Sequence, residues 1–497
     1  MSSRLKLGYG LRLTDRLEYR MDFIQPASFN CFRDDALGTA DATDIAARIR
    51  SGEVSATDVV SAAIERSRLA QATLNGVVAE DYERCLLKAS QMTPTDAPFA
   101  GVPTFIKDNT DVEGLPTGHG SAAVPLRNAS KTSPFAEQML AQGYLCLGKS
   151  SMPEFGFNAT TEPAHGQPTR NPWNLAYSCG ASSGGAAAMV AAGVVPIAHA
   201  NDGGGSIRIP AACCGLIGLK PTRGRVVDNE AAKTLPVNIV SDGVVTRSVR
   251  DSAAFIAHAG QYFHNPTLPE VGQVHGPGHK QLRIGLVLDS INGYPTDAET
   301  RLTVEQTARQ LEKAGHIVEP MAVPVAKSFP DDFALYWGML AFGLKLQGRK
   351  LLHPDFDKRK VDGLTNGLDR MMRKQIWRLP AAIWRLKRSW HDYAREMAGY
   401  DAVLTPVLAH TTPPLGYLSP TVPFDTLFER LMQYVNFTPL ANATGAPAIS
   451  VPMGLTANNL PVAVQFMGRH GDERTLLEIA YLLEAEQSWP SLAGYPV

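Results

Sequence analysis

The sequence lacks long apolar runs, lacks a charge bias and is sparing with cysteine. No apolar stretch is long enough to cross a bilayer, which excludes a helical membrane protein. The N-terminus carries basic residues without the apolar core of a secretory leader, so no signal peptide is read there. Lys and Arg number 47 against 48 Asp and Glu, a net charge of −1. So balanced a chain presents no global field for nucleic acid or an anionic membrane. The six cysteines (Cys31, Cys85, Cys146, Cys179, Cys213, Cys214) form no Cys-x-x-Cys pair and no zinc spacing. Reduced, mostly buried thiols in a cytoplasmic protein are expected, with no metal or other cofactor.

What is present is alternation. Short apolar strands alternate with helical segments along most of the chain, as in a layered α/β protein. Residues 1–36 read as an extension or arm. Helices are expected at Asp44 to Arg50, capped by Thr43, and at Asp58 to Gln71, capped by Ser55 or Thr57. Strands are expected at Val102–Ile106, Tyr144–Leu147, Val194–Ala200, Leu282–Asp289, His316–Met321, Tyr400–Pro406, Asn442–Pro452 and Pro461–Phe466. Further helices are expected at Asp297–Ala314 and Glu473–Glu486. Residues 330–400 differ in character. Trp337, Trp377, Trp384 and Trp390 lie among many Lys and Arg. This reads as an amphipathic helix pair that packs its tryptophans onto the body and leaves basic faces in water, not as a nucleic-acid surface.

Gly143 to Ser150 formally matches a P-loop, yet Tyr144–Leu147 between its glycines is itself strand-like and Pro153 closes the next turn. A phosphate cradle needs free backbone there, so ATP binding is rejected. His119, His165 and His199 read as loop or strand residues, and no Ser-His-Asp pattern joins them.

The stretch with chemistry runs from Tyr177 to Pro210. It holds two Gly-rich serine clusters, one with Ser182 and Ser183, the other Gly203-Gly204-Gly205-Ser206. Glycines beside a serine let backbone N–H groups approach a ligand, so nucleophile and oxyanion donors can share one turn. Upstream, the strand Val102–Ile106 delivers Lys107. From the residues alone, that is a surface lysine at a strand end.

These segments resemble the amidase signature family. The family pattern is Gly-Ser-Ser-Gly-Gly, then Gly-Thr-Asp-Thr-Gly-Gly-Ser-Ile-Arg, Pro-Ala and Gly-Leu-Lys-Pro-Thr. Here the counterparts are Ala181–Gly185, Ala200–Arg208, Pro210-Ala211 and Gly218–Thr222. The resemblance runs from about Ala40 to the C-terminus. It implies a single large layered domain, residues 37–497, with a mixed central sheet covered by helices on both faces and residues 330–400 helping to wall a cleft. It implies a Ser-Ser-Lys amidohydrolase with Ser206 as nucleophile, Ser182 as bridging serine after a cis peptide bond, and Lys107 as terminal base. Gly203, Gly204, Gly205 and Ser206 would supply oxyanion N–H groups, and Ser183, Asp202 and Arg208 would support the site. Two departures stand out. Ala181 puts a methyl group before the bridging serine. Ala200-Asn201-Asp202-Gly203 replaces Gly-Thr-Asp-Thr, from which a looser oxyanion turn is expected.

The Thr-Thr-Glu-Pro, Arg-Asn-Pro-Trp-Asn and His-Ala-Asn-Asp segments look most like the branch containing 6-aminohexanoate cyclic-dimer hydrolase, which points to a small amide or lactam substrate. Two alternatives stay open. One is the glutaminase subunit of a tRNA-dependent amidotransferase, against which Ile209 stands where that subunit carries glutamine. The other is a non-catalytic scaffold. A homodimer is left open as well.

Overall fold

A computed structural model describes residues 28–93 and 95–494. Most of the expected arm lies outside these residues. Its last part runs along the body: Phe29 N–H donates to the Pro172 carbonyl, Cys31 N–H to that of Ala192, and Asp35 holds the buried Arg66 guanidinium.

Eight strands form a mixed central sheet. In spatial order they are Ile317–Pro320, Arg283–Leu286, Ala402–Pro406, Pro461–Gly468, Ala448–Leu455, Ile217–Lys220, Ser241–Thr246 and Ile197–Asp202. The first three pair in parallel and the other five antiparallel. Such a sheet is buried on both faces, which is why the strands read as apolar runs without strict alternation. Helices flank it, among them Ala298–Lys313, Val249–Tyr262 and Glu473–Glu486. A separate three-stranded sheet joins Val77–Glu80, Leu145–Ser150 and Pro103–Lys107. Its last strand lies against Ile197–Asp202, where the Thr104 hydroxyl donates to the Ile197 carbonyl at 3.0 Å. The two sheets therefore meet where Lys107 ends one edge strand and Asp202 the other.

Between Ser178 and Ile217 the small residues decide the packing. Gly184–Ala191 is a fully buried helix. A Cβ on Gly184 would strike Thr161 and Cys179, and one on Gly185 would strike Ser151. Only glycine lets this helix start so close to its neighbours.

Three local expectations are corrected. Asp41, not Thr43, caps Ala42–Ser51, and the Thr43 hydroxyl turns instead to Asp251. Asn442–Thr444 is not strand. Pro439–Thr444 is helical, Gly445 closes it at φ 75°, and the strand begins at Ala448. The tryptophans of the helices Phe329–Leu351 and Leu379–Glu396 and of the turn before the second helix divide. Trp390 stacks on His470 and Trp337 on Phe428, but Trp377 and Trp384 stand 78% and 60% exposed. Trp377 belongs to the 3-10 turn Ile376–Arg378, just ahead of the helix that carries Trp384, and neither packs onto the body.

The P-loop match dissolves as expected. Gly148-Lys149-Ser150 lies inside a strand, and buried Lys149 donates to the Thr117 hydroxyl at 2.9 Å. All six cysteines are free, five of them buried. Among the described residues no helix is long and apolar enough to cross a membrane.

Candidate active site

Lys107 is wholly buried. Its Nζ lies 2.6 Å from Ser182 Oγ, 2.6 Å from Asn201 Oδ1 and 2.9 Å from Ser183 Oγ. Burial strips water from the ammonium and carries its pKa from 10.5 down to about 7; the charges of Asp242 and Asp202 oppose that fall. Lys220 is likewise buried and lowered to about 7, but it donates to the Pro221 carbonyl and touches neither serine cluster. Geometry, not acidity, singles out Lys107.

The lysine backbone is held too. Lys107 N–H donates to His199 Nδ1 at 3.1 Å, which requires the proton of His199 on Nε2, facing Asp242 Oδ1 at 3.2 Å. Burial lowers the pKa of His199, in keeping with this neutral tautomer.

Ser182 and Ser183 sit in a tight turn after Gly180, whose φ is 84°. A side chain at 180 would meet the backbone of Pro210. No peptide bond here is cis, Ala181–Ser182 included, contrary to the expectation. Ser182 N–H points at Ser206 Oγ, 3.2 Å away. Gly156 lies against the other side of Ser182: a Cβ there would stand 3.3 Å from its hydroxyl. Just before it, Glu154 accepts from Ser121 Oγ, Asp362 N–H and Thr365 Oγ1. Burial and the neighbouring Asp362 charge raise its carboxyl to about 7.

Ser206 sits between the strand Ile197–Asp202 and the helix Arg208–Cys214. Asp202 organises the turn. Its carboxylate accepts from Gly205 N–H at 2.6 Å, Ile207 N–H at 3.1 Å and two Arg208 nitrogens at 2.9 Å. Burial alone would raise this carboxyl, but the Arg208 charge and hydrogen bonds bring it to about 2. Arg208 is fully buried and reaches Asn442, Gln465 and the Thr438 carbonyl as well. Thr438 Oγ1 holds the Gly204 carbonyl at 2.7 Å. The turn is pinned at several points, not loosened by Gly203.

Gly205 departs from its expected role. Its N–H is spent on Asp202, and its φ of 135° beside Thr438 makes it a shape residue. Among the described residues, the N–H groups of Gly203, Gly204 and Ser206 have no hydrogen-bond acceptor. They are the N–H groups of this turn that stay available to a ligand.

The structure thus brings Lys107, Ser182, Ser183, Asp202, Ser206 and Arg208 into one buried cluster. Reading by motif missed His199, Asn201, Asp242, Thr438, Asn442 and Gln465. One signal was available: His199 and Asn201 are two apart on a strand, so they share a face, and that face meets Lys107.

The fold and the motif-bearing segments point to the amide hydrolases that the sequence resembles. The chain matches the Amidase family over residues 58–477 and belongs to it, the amidase signature enzymes. It is an amidase. It is 48% identical over 461 residues to "Putative amidase AmiC" of Mycobacterium leprae, covering 93% of this chain and 98% of that one. It is 32% identical to 6-aminohexanoate-cyclic-dimer hydrolase of Paenarthrobacter ureafaciens, covering 90% and 95%. Among solved structures, a substrate complex of 6-aminohexanoate cyclic dimer hydrolase superposes with a TM-score of 0.82 at 29% identity, over 92% of this chain and 98% of that chain.

Proposed function

We propose that the protein hydrolyses the carboxylic amide bond of a small molecule through an acyl-enzyme on Ser206. One observation carries the reading: Lys107 Nζ lies 2.6 Å from Ser182 Oγ, and the backbone N–H of the same serine donates to Ser206 Oγ at 3.2 Å, which keeps the two serines side by side. Ser206 Oγ attacks the amide carbon while its proton passes to Ser182 Oγ and the Ser182 proton passes to neutral Lys107. The free N–H groups of Gly203, Gly204 and Ser206 stabilise the oxyanion. The C–N bond then breaks, the relay runs backwards to protonate the leaving amine, and water releases the acyl group by the same route.

A neutral lysine is what makes this workable near pH 7, since an ordinary lysine with a pKa of about 10.4 is protonated there. Similarity to 6-aminohexanoate-cyclic-dimer hydrolase supports a small amide or lactam as substrate. The test is a panel of aryl, alkyl, cyclic and peptide amides, run with wild type and Ser206→Ala. Hydrolysis of one class, abolished in Ser206→Ala, is expected. Full activity in Ser206→Ala would overturn the nucleophile.

A further inference from the structure

We propose that Asn201 is a positioning residue that keeps the lone pair of neutral Lys107 on the Ser182 hydroxyl. This rests on the Ser206–Ser182–Lys107 reading and adds a residue to it.

The argument is a count of donors and acceptors. Nζ has three oxygen neighbours: Ser182 Oγ, Ser183 Oγ and Asn201 Oδ1. A neutral amine has two N–H bonds and one lone pair, and it takes a proton only along the lone pair. The neighbours able only to accept decide where the lone pair points. Ser183 Oγ donates its proton to the Asn201 carbonyl at 3.3 Å and accepts the Asn201 N–H at 3.3 Å. Its proton is spent, so toward Nζ it accepts. Asn201 Oδ1 has no proton to give. Both N–H bonds are therefore taken, and the direction that remains is Ser182, whose hydroxyl donates to Nζ.

The same residue serves the next state. When the Ser182 proton moves to Nζ, the ammonium has three N–H bonds and three acceptors already in place. No group need reorient, which is the condition for a cheap proton transfer in a buried site. A threonine, as in the Gly-Thr-Asp-Thr pattern, has a hydroxyl that can donate to the lone pair and compete with Ser182. An amide oxygen cannot.

The test compares kcat and KM against pH for wild type, Asn201→Asp, Asn201→Leu and Ser206→Ala on a chromogenic anilide. Asn201→Asp keeps the shape but sets a carboxylate beside Nζ. Its acidic limb should rise by about one unit or more, with about tenfold less activity at pH 7 and recovery in alkali. Asn201→Leu removes the acceptor without adding charge. Its kcat should fall by about 10–100-fold at every pH while KM stays within about threefold. Wild-type profiles in both variants, with Ser206→Ala inactive, would overturn the role of Asn201 alone. Full activity in Ser206→Ala would overturn the nucleophile and this inference together.

Discussion

His199 accepts the backbone N–H of Lys107 on Nδ1 and presents Nε2–H to Asp242. The imidazole spans the gap between the two sheets and holds the main chain of Lys107. His199→Leu would leave the Lys107 N–H and one Asp242 oxygen without partners inside the protein. An unpaired buried group costs about 1–3 kcal/mol, so urea unfolding should show about 2–4 kcal/mol lost, with kcat falling and the acidic limb of the pH profile staying in place.

The depressed lysine sets the pH dependence. In the proposed mechanism Lys107 takes a proton only when neutral, so kcat/KM should climb with pH up to about 7 and level off above it. The folded pKa lies below the unfolded one. The unfolded chain therefore binds the extra proton between about pH 7 and 10.5, and folding stability should rise with pH across that window. Lys220 contributes in the same sense. Lys107→Met should lower turnover by about 1,000-fold or more, raise the thermal midpoint at pH 7, and flatten part of that slope. A variant melting below wild type would contradict a desolvated lysine.

The Asp202–Arg208 pair is wholly buried and shares its hydrogen bonds with the oxyanion turn. Removing one member of a buried pair strands the other charge and costs about 3–5 kcal/mol. Arg208→Met should lose about that much in chemical denaturation. Because Asp202 also fixes Gly205 and Ile207, activity should vanish before the fold does.

Two glycines of one turn should behave differently. Gly203 has only Val240 near a would-be Cβ, at 3.8 Å, and Gly205 has Thr438 and Ile209 in the way at φ 135°. Gly203→Ala should keep the wild-type melting temperature. Gly205→Ala should lower it and reduce kcat, as seen by calorimetry and single-turnover assays.

Much of this arrangement was legible in advance because the motifs that resemble the family lie in a few contiguous segments. Lys107, Ser182 and Ser206 were readable as motif positions, and the closing helix matched its periodicity at Glu473–Glu486. The misses have a common physical origin. Asn442, Gln465 and Thr438 reach Arg208 across more than 200 positions, and no local pattern encodes such a meeting. Gly205 was counted as an oxyanion donor because spacing does not say which N–H a neighbouring carboxylate will claim. Trp377 and Trp384 were expected to pack onto the body with the other two, yet both stand exposed, since composition does not say which tryptophan of an amphipathic segment finds a partner.

Glu154 fastens the start of the helix Gly363–Gln375, through Asp362 and Thr365, to a segment whose Gly156 abuts the Ser182 hydroxyl. Glu154 and Gly156 are two residues apart, so this anchorage ends beside the Ser182 side chain. Thr365→Val, which removes one of the hydrogen bonds at the outer end of this tether, should lower kcat in a steady-state assay while every side chain of the Lys107–Ser182–Ser206 cluster stays intact.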